Sequence, residues 1–172
     1  MKTKIMAISI GAALLAALLT PPVLRADNTV FTAKLFGDNE VPPNNTNGKA
    51  DFKMTVGSSI TFTLTFSGLS TPLMVAHLHF APTNVAGGVM IFLCGGGGQP
   101  ACPSATAGVI SGTITAANVT GPTAQGIDPG DLTSALEAVG DGISYANMHT
   151  TKFPSGEIRG QVTKNKHGDD DD

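Results

Sequence analysis

The chain has 172 residues, 41% hydrophobic, 13% charged and 5% aromatic, with a net charge of −3. Ordinary globular proteins carry about a quarter charged residues, and a chain this apolar and weakly charged is not intrinsically disordered. Ten basic residues against 13 acidic ones exclude a phosphate-binding stripe, and with it nucleic acid as a partner; the length allows one domain.

Residues 1–26 read MKTKIMAISIGAALLAALLTPPVLRA, the pattern of a secretory signal peptide. Lys2 and Lys4 give a basic start, residues 5–19 are apolar but too short for a permanent anchor, and Ala26 suits cleavage. The expectation is a secreted or periplasmic chain from Asp27, with no membrane attachment after cleavage. Losing Lys2, Lys4 and Arg25 takes the net charge from −3 to −6, and four of the acids form the tail at residues 169–172.

Residues 29–36 alternate Phe31, Ala33 and Leu35 with Thr32 and Lys34, which predicts a half-buried strand. GDNEVPPNNTNG, residues 37–48, is rich in Gly, Pro and Asn and reads as a loop. Residues 51–56 and 60–66 alternate again, and the intervening Gly57-Ser58-Ser59 predicts a hairpin. Residues 75–80 (VAHLHF), 89–93, 109–115, 143–149 and 157–163 complete a set of about eight predicted strands. One helix is expected near 129–139, with Asp128 as its N-cap, Pro129 in the first turn and Gly140 as its stop. Short strands with Gly/Pro turns and a single helix predict an all-β, antiparallel Greek-key sandwich or barrel. The layout is a signal over 1–26, one domain over 27–163 and a disordered acidic tail over 164–172.

Cys94 and Cys102 flank GGGGQPA. In an exported protein a close pair of this kind forms a disulfide, and the spacing is too wide for a CxxC metal site. Among the four histidines, His77 and His79 form His-x-His in a strand. Their side chains fall on one face about 7 Å apart by strand rise, within reach of one metal ion. His149 closes a later strand and supplies a third nitrogen if that strand lies beside the first. Three neutral imidazoles suit Cu or Zn. Glu40, Asp38 and Glu157 are candidate oxygen ligands or acceptors for imidazole N–H groups. The bland alternative is a polar structural cluster hydrogen-bonded to loop carbonyls. His167, in the tail, reads as solvated. Glu157 and Arg159 share a strand face, and a guanidinium fork from Arg159 to Glu40 or Asp38 would tie the long loop to the last strand. No nucleophile elbow and no phosphate loop occurs. Asn44-Asn45-Thr46 and Asn118-Val119-Thr120 are glycosylation sequons.

FTAKLFGDNEVPP, AHLHFAP followed by GGVMIFLC, and YANMHTTKFPSGEIRGQ resemble the signature blocks of the CHRD domain, found in chordin and as single domains in secreted bacterial proteins. The resemblance runs from Val30 to Val162. It implies an all-β fold, immunoglobulin-like or barrel-like, and a signature polar set of Glu40, His77, His79, His149, Glu157 and Arg159. The cysteine-rich repeats credited with growth-factor binding in chordin have no counterpart here, so that activity is not implied. A narrower resemblance, through His-x-His, a later His and a disulfide, is to copper–zinc superoxide dismutase. That family uses four copper histidines and a separate zinc loop, which this chain lacks.

The sequence therefore predicts a secreted, non-enzymatic β-domain that binds Cu or Zn through His77, His79 and His149, or that serves as an extracellular module for a protein partner. A copper-dependent, dismutase-like redox enzyme is the alternative.

Overall fold

A computed structural model describes residues 28–165. The expected signal peptide, most of the acidic tail and His167 lie outside the described residues. Nine strands form a single antiparallel sheet: β1 (Thr29–Phe36), β2 (Lys49–Val56), β3 (Ile60–Ser67), β4 (Leu73–Phe80), β5 (Gly88–Cys94), β6 (Gly108–Ile114), β7 (Ser144–Thr150), β8 (Ile158–Gln161) and β9 (Thr163–Lys164). Among the described residues one α-helix, α1 (Leu132–Gly140), precedes β7.

The order across the sheet is β5-β4-β7-β8-β1-β2-β3-β6, with β9 paired to β1. The two end strands, β5 and β6, come into contact and nearly close the sheet into a barrel. Around that barrel β6 lies beside β3 and β5 beside β4, so the chain crosses between β3 and β4 as a Greek key does.

Alternation decides which side faces the core. Phe31, Ala33 and Leu35 of β1, Phe52 and Met54 of β2, and Phe62 and Leu64 of β3 point inward and are buried. Ala76 and Leu78 of β4, Ala146 and Met148 of β7, and Ile158 of β8 complete the same interior. On β1–β3 the outward residues, Val30 and Phe36 apart, are polar and mostly solvated, as expected for a one-sided sheet. That outer face holds a depression of about 660 Å³ edged by Lys34, Asp51 and Lys53. Its ion pair, Lys34 Nζ to Asp51 Oδ1 at 2.7 Å, is exposed on both sides and adds little stability.

β7 departs from this pattern, because every one of its residues is buried. Its inner face packs on the core, and its outer face lies beneath loops. A strand covered on both sides can carry polar groups away from water: His149 sits on β7, and His77 and His79 on the neighbouring β4.

Two local expectations need correction. The helix begins three residues later than predicted, and Asp131, not Asp128, caps it: Asp131 Oδ1 accepts from Ser134 N at 3.0 Å, and its Oδ2 accepts from Ser134 Oγ at 2.6 Å. Gly130 takes φ +86, which is left-handed backbone, so Asp128 and Pro129 belong to the preceding turn. Gly140 is the last helical residue, not the residue after the stop. The predicted final strand over 157–163 is divided into β8 and β9. Between them the buried Val162 turns its N–H to Ser144 O at 2.9 Å, taking it out of the β1 ladder.

A candidate metal centre on the outer face of the barrel

β4 and β7 are adjacent and antiparallel, with Val75 opposite His149, His77 opposite Asn147 and His79 opposite Tyr145. Opposed residues project to one face. His77, His79, Tyr145, Asn147 and His149 therefore share the face turned away from the core. On β8 Arg159 opposes Asn147 and Gln161 opposes Tyr145, which extends the same polar row. The pairing of β4 with β5 shifts register on both sides of the His77–Leu78 stretch. Irregularities of this kind re-aim side chains and concentrate near sites.

His77, His79 and His149 are 5%, 8% and 8% exposed. One ring nitrogen from each lies within 4.8 Å of the other two. The His77 ring centroid is 4.5 Å from both partners, and the His79 and His149 centroids are 6.1 Å apart. His79 Nδ1 is 2.8 Å from Gly87 O, and His149 Nδ1 is 3.0 Å from Pro154 O. A carbonyl only accepts, so each Nδ1 carries the proton and each Nε2 keeps a free lone pair. The buried ring nitrogens without a hydrogen-bond partner are His77 Nδ1, His79 Nε2 and His149 Nε2.

Burial also fixes the charge state. It pulls His77 down to about 2, helped by repulsion from His79 and His149. His79 falls to about 4, again through burial, with the Gly87 carbonyl opposing. Burial lowers His149 too, against the Pro154 carbonyl. All three rings are neutral near pH 7, the form that binds a metal.

The remaining candidates do not join the triad. Asp38 is exposed. Glu157 is fully buried and accepts from Thr46 Oγ1 at 2.6 Å, Ser70 N at 2.7 Å and Thr150 Oγ1 at 2.6 Å. Burial raises its pKa, but these hydrogen bonds outweigh that effect and hold it below the usual carboxylate range. Glu157 is thus a knot joining three chain segments at one end of the barrel.

The anticipated fork from Arg159 to Glu40 or Asp38 does not form, since Lys34–Asp51 is the one salt bridge among the described residues. Arg159 donates to Val85 O at 3.2 Å and stacks its guanidinium 4.2 Å from the Tyr145 ring centroid. The loop over 37–48 is tied to the last strands by amides instead. Asn39 Nδ2 donates to Arg159 O at 3.1 Å, and Asn44 Nδ2 to Gly156 O and Glu157 O. The carboxylate of Glu40 lies against Gly156, where an added Cβ would meet Oε1 at 2.7 Å. Its pKa rises to about 7, driven by burial and only partly offset by Arg159 and the Val41 N–H. Both sequon asparagines are engaged, Asn44 as above and Asn118 through Nδ2 to Gly97 O at 2.9 Å.

Cys94 and Cys102 form the expected disulfide. Three neighbours of the triad carried no metal-site signal of their own in the sequence. Tyr145 stacks on His79, with ring centroids 4.6 Å apart and planes 1° from parallel, and its hydroxyl accepts from Gly87 N at 3.3 Å. Asn147 Oδ1 is buried without a partner. Phe92 meets the His77 ring edge-on at 5.3 Å. Alternation back from His149 already puts Tyr145 and Asn147 on its face, whereas Phe92 is indistinguishable from a core residue.

A family model described as the CHRD domain matches residues 31–162. No curated protein and no solved structure matches the chain. Among the described residues no helix is long and apolar enough to cross a membrane.

Proposed function

The chain belongs to the CHRD domain family, and on that footing we propose that it is a secreted β-domain that holds one copper or zinc ion on His77, His79 and His149. One observation carries the reading: three buried imidazoles bring a nitrogen each within 4.8 Å of one another. Two of them are oriented by carbonyls of Gly87 and Pro154, the usual outer support of a metal-binding histidine. Copper and zinc are the ions that favour imidazole nitrogen. Nitrogens about 2 Å from a tetrahedral ion are about 3.4 Å apart, so loading draws the rings together by up to about 1.4 Å. The signal-like residues 1–26 and the disulfide fit export to an oxidising compartment.

The test is metal analysis of the exported protein, beside titration of chelator-treated protein with Zn and Cu. The expected result is one equivalent per chain in the wild type and none in His79→Ala. Failure of the wild type to bind either ion, or retention of full affinity by His79→Ala, overturns the reading. Superoxide consumption by the copper-loaded protein would replace it with that of a redox enzyme.

A further inference from the structure

The three histidines are not held alike. Carbonyls fix the His79 and His149 rings. No carbonyl fixes His77: its buried Nδ1 has no partner, and its contacts are packing contacts. The His79 and His149 ring centroids lie 4.5 Å from its own, and the Phe92 ring packs T-shaped against it at 5.3 Å. Phe92 lies opposite His77 in the β4–β5 ladder.

Phe92 is in turn held by the CGGGGQ segment. A Cβ added at Gly96 would lie 2.4 Å from Phe92 Cε1, and one at Gly97 would lie 2.7 Å from Cδ2. Two glycines thus approach the ring more closely than any side chain permits, and Gly97 also has a left-handed φ of +54. The loop is pinned at three further points. Gly95 N donates to Pro100 O at 2.8 Å, Asn118 Nδ2 donates to Gly97 O at 2.9 Å, and Cys94–Cys102 closes its base.

Resting on the metal reading above, we propose that Phe92, clamped by the disulfide-closed glycine loop, is the positioning residue that sets the His77 ring for metal. The run of glycines is then a mould for an aromatic ring, and the disulfide acts on the metal centre through it.

Two measurements on the oxidised protein test this. In the first, zinc affinity is compared among wild type, Phe92→Leu, Phe92→Tyr and Gly96→Ala, with circular dichroism verifying the fold. Losing an outer support weakens metal binding about 10- to 100-fold. Phe92→Leu and Gly96→Ala are expected to lose at least about tenfold, while Phe92→Tyr, which keeps the ring, stays near wild type. Replacing Cys94 and Cys102 together by Ser is expected to weaken the wild type similarly and to add little to Phe92→Leu, because both act on one contact. Wild-type affinity in a folded Phe92→Leu overturns the proposal even if His79→Ala abolishes binding.

The second measurement needs no metal: ¹⁵N chemical shifts of His77 in metal-free protein report its tautomer and ring order. Phe92→Leu is expected to broaden or shift His77 while leaving His79 and His149 unchanged. An unaltered His77 signal overturns the proposal whether or not the wild type binds zinc.

Discussion

Replacing Glu40 with Gln is expected to stabilise the protein at neutral pH and to leave it unchanged in acid. Glu40 is 7% exposed, its Oε1 has no partner, and its pKa stands near 7 against an ordinary 4.5. In the unfolded chain the carboxyl ionises at about 4.5, and in the folded chain only near 7. Between those values the folded state binds more protons, so stability falls as pH rises and levels off above 7. A gap of about 2.5 units, at 1.36 kcal/mol each, gives a penalty on the order of 3 kcal/mol. The attraction of Arg159 is already inside that figure, because it lowers the same pKa. Gln keeps the shape and cannot ionise. Urea unfolding of chelator-treated wild type and Glu40→Gln from pH 4 to 8.5 reads the difference directly. The two should coincide near pH 4, diverge from about pH 5, and differ most at pH 8 with the variant the more stable. A difference that does not change with pH, or a less stable variant at pH 8, refutes the reasoning.

Saturating zinc should raise the melting temperature of the wild type, by a stabilisation of about 2.7 kcal/mol at 100 times Kd, and leave His79→Ala unmoved in the same scan. Glu157→Gln should destabilise by about 2–4 kcal/mol in urea titration, since its amide NH₂ is itself a donor and must face one of the Thr150, Thr46 or Ser70 donors that the carboxylate accepts from. Its effect should shrink in acid, because the wild-type carboxylate has a lowered pKa and gives up its stabilising charge as pH falls below the ordinary carboxylate range. His77→Leu removes a buried nitrogen that has no partner. It should leave metal-free protein as stable as wild type or more so, by up to about 1–3 kcal/mol, while abolishing zinc binding in calorimetry.

Period-two alternation made most of the barrel legible. β1 runs over the predicted residues 29–36, and Ile60, Phe62, Leu64 and Phe66 fall on the core side as their spacing requires. The helix start was misjudged because Asp128-Pro129 carries the same cap signal as Asp131, and only the left-handed Gly130 separates them. His-x-His placed two rings on one face by itself. His149 needed the β4–β7 pairing, which joins residues about 70 apart in sequence and which no local pattern encodes. The carbonyls of Gly87 and Pro154 were illegible for a different reason: backbone groups have no residue identity to read. The Arg159 expectation failed because charge pairing was assumed, whereas the guanidinium found an aromatic face and a carbonyl.

Among the described residues, most of the buried polar atoms without a partner lie on the outer face of β4 and β7. His77, His79, Asn147 and His149 each leave a buried polar atom without a partner there, and Glu40 adds another from the neighbouring loop. Each such atom costs about 1–3 kcal/mol, so together they rival the whole net stability of a domain, about 5–15 kcal/mol. A core built only for stability would hold leucine at these positions. Three of the five atoms, His79 Nε2, His149 Nε2 and Asn147 Oδ1, carry lone pairs with no donor opposite, so the group that would satisfy them is an electron-pair acceptor. Glu157 shows that the same fold can satisfy a buried carboxylate completely when the carboxylate is structural. Glu157, with every partner supplied, holds the barrel together, whereas the histidine triad leaves ring nitrogens without partners, which is what the proposed ion would use.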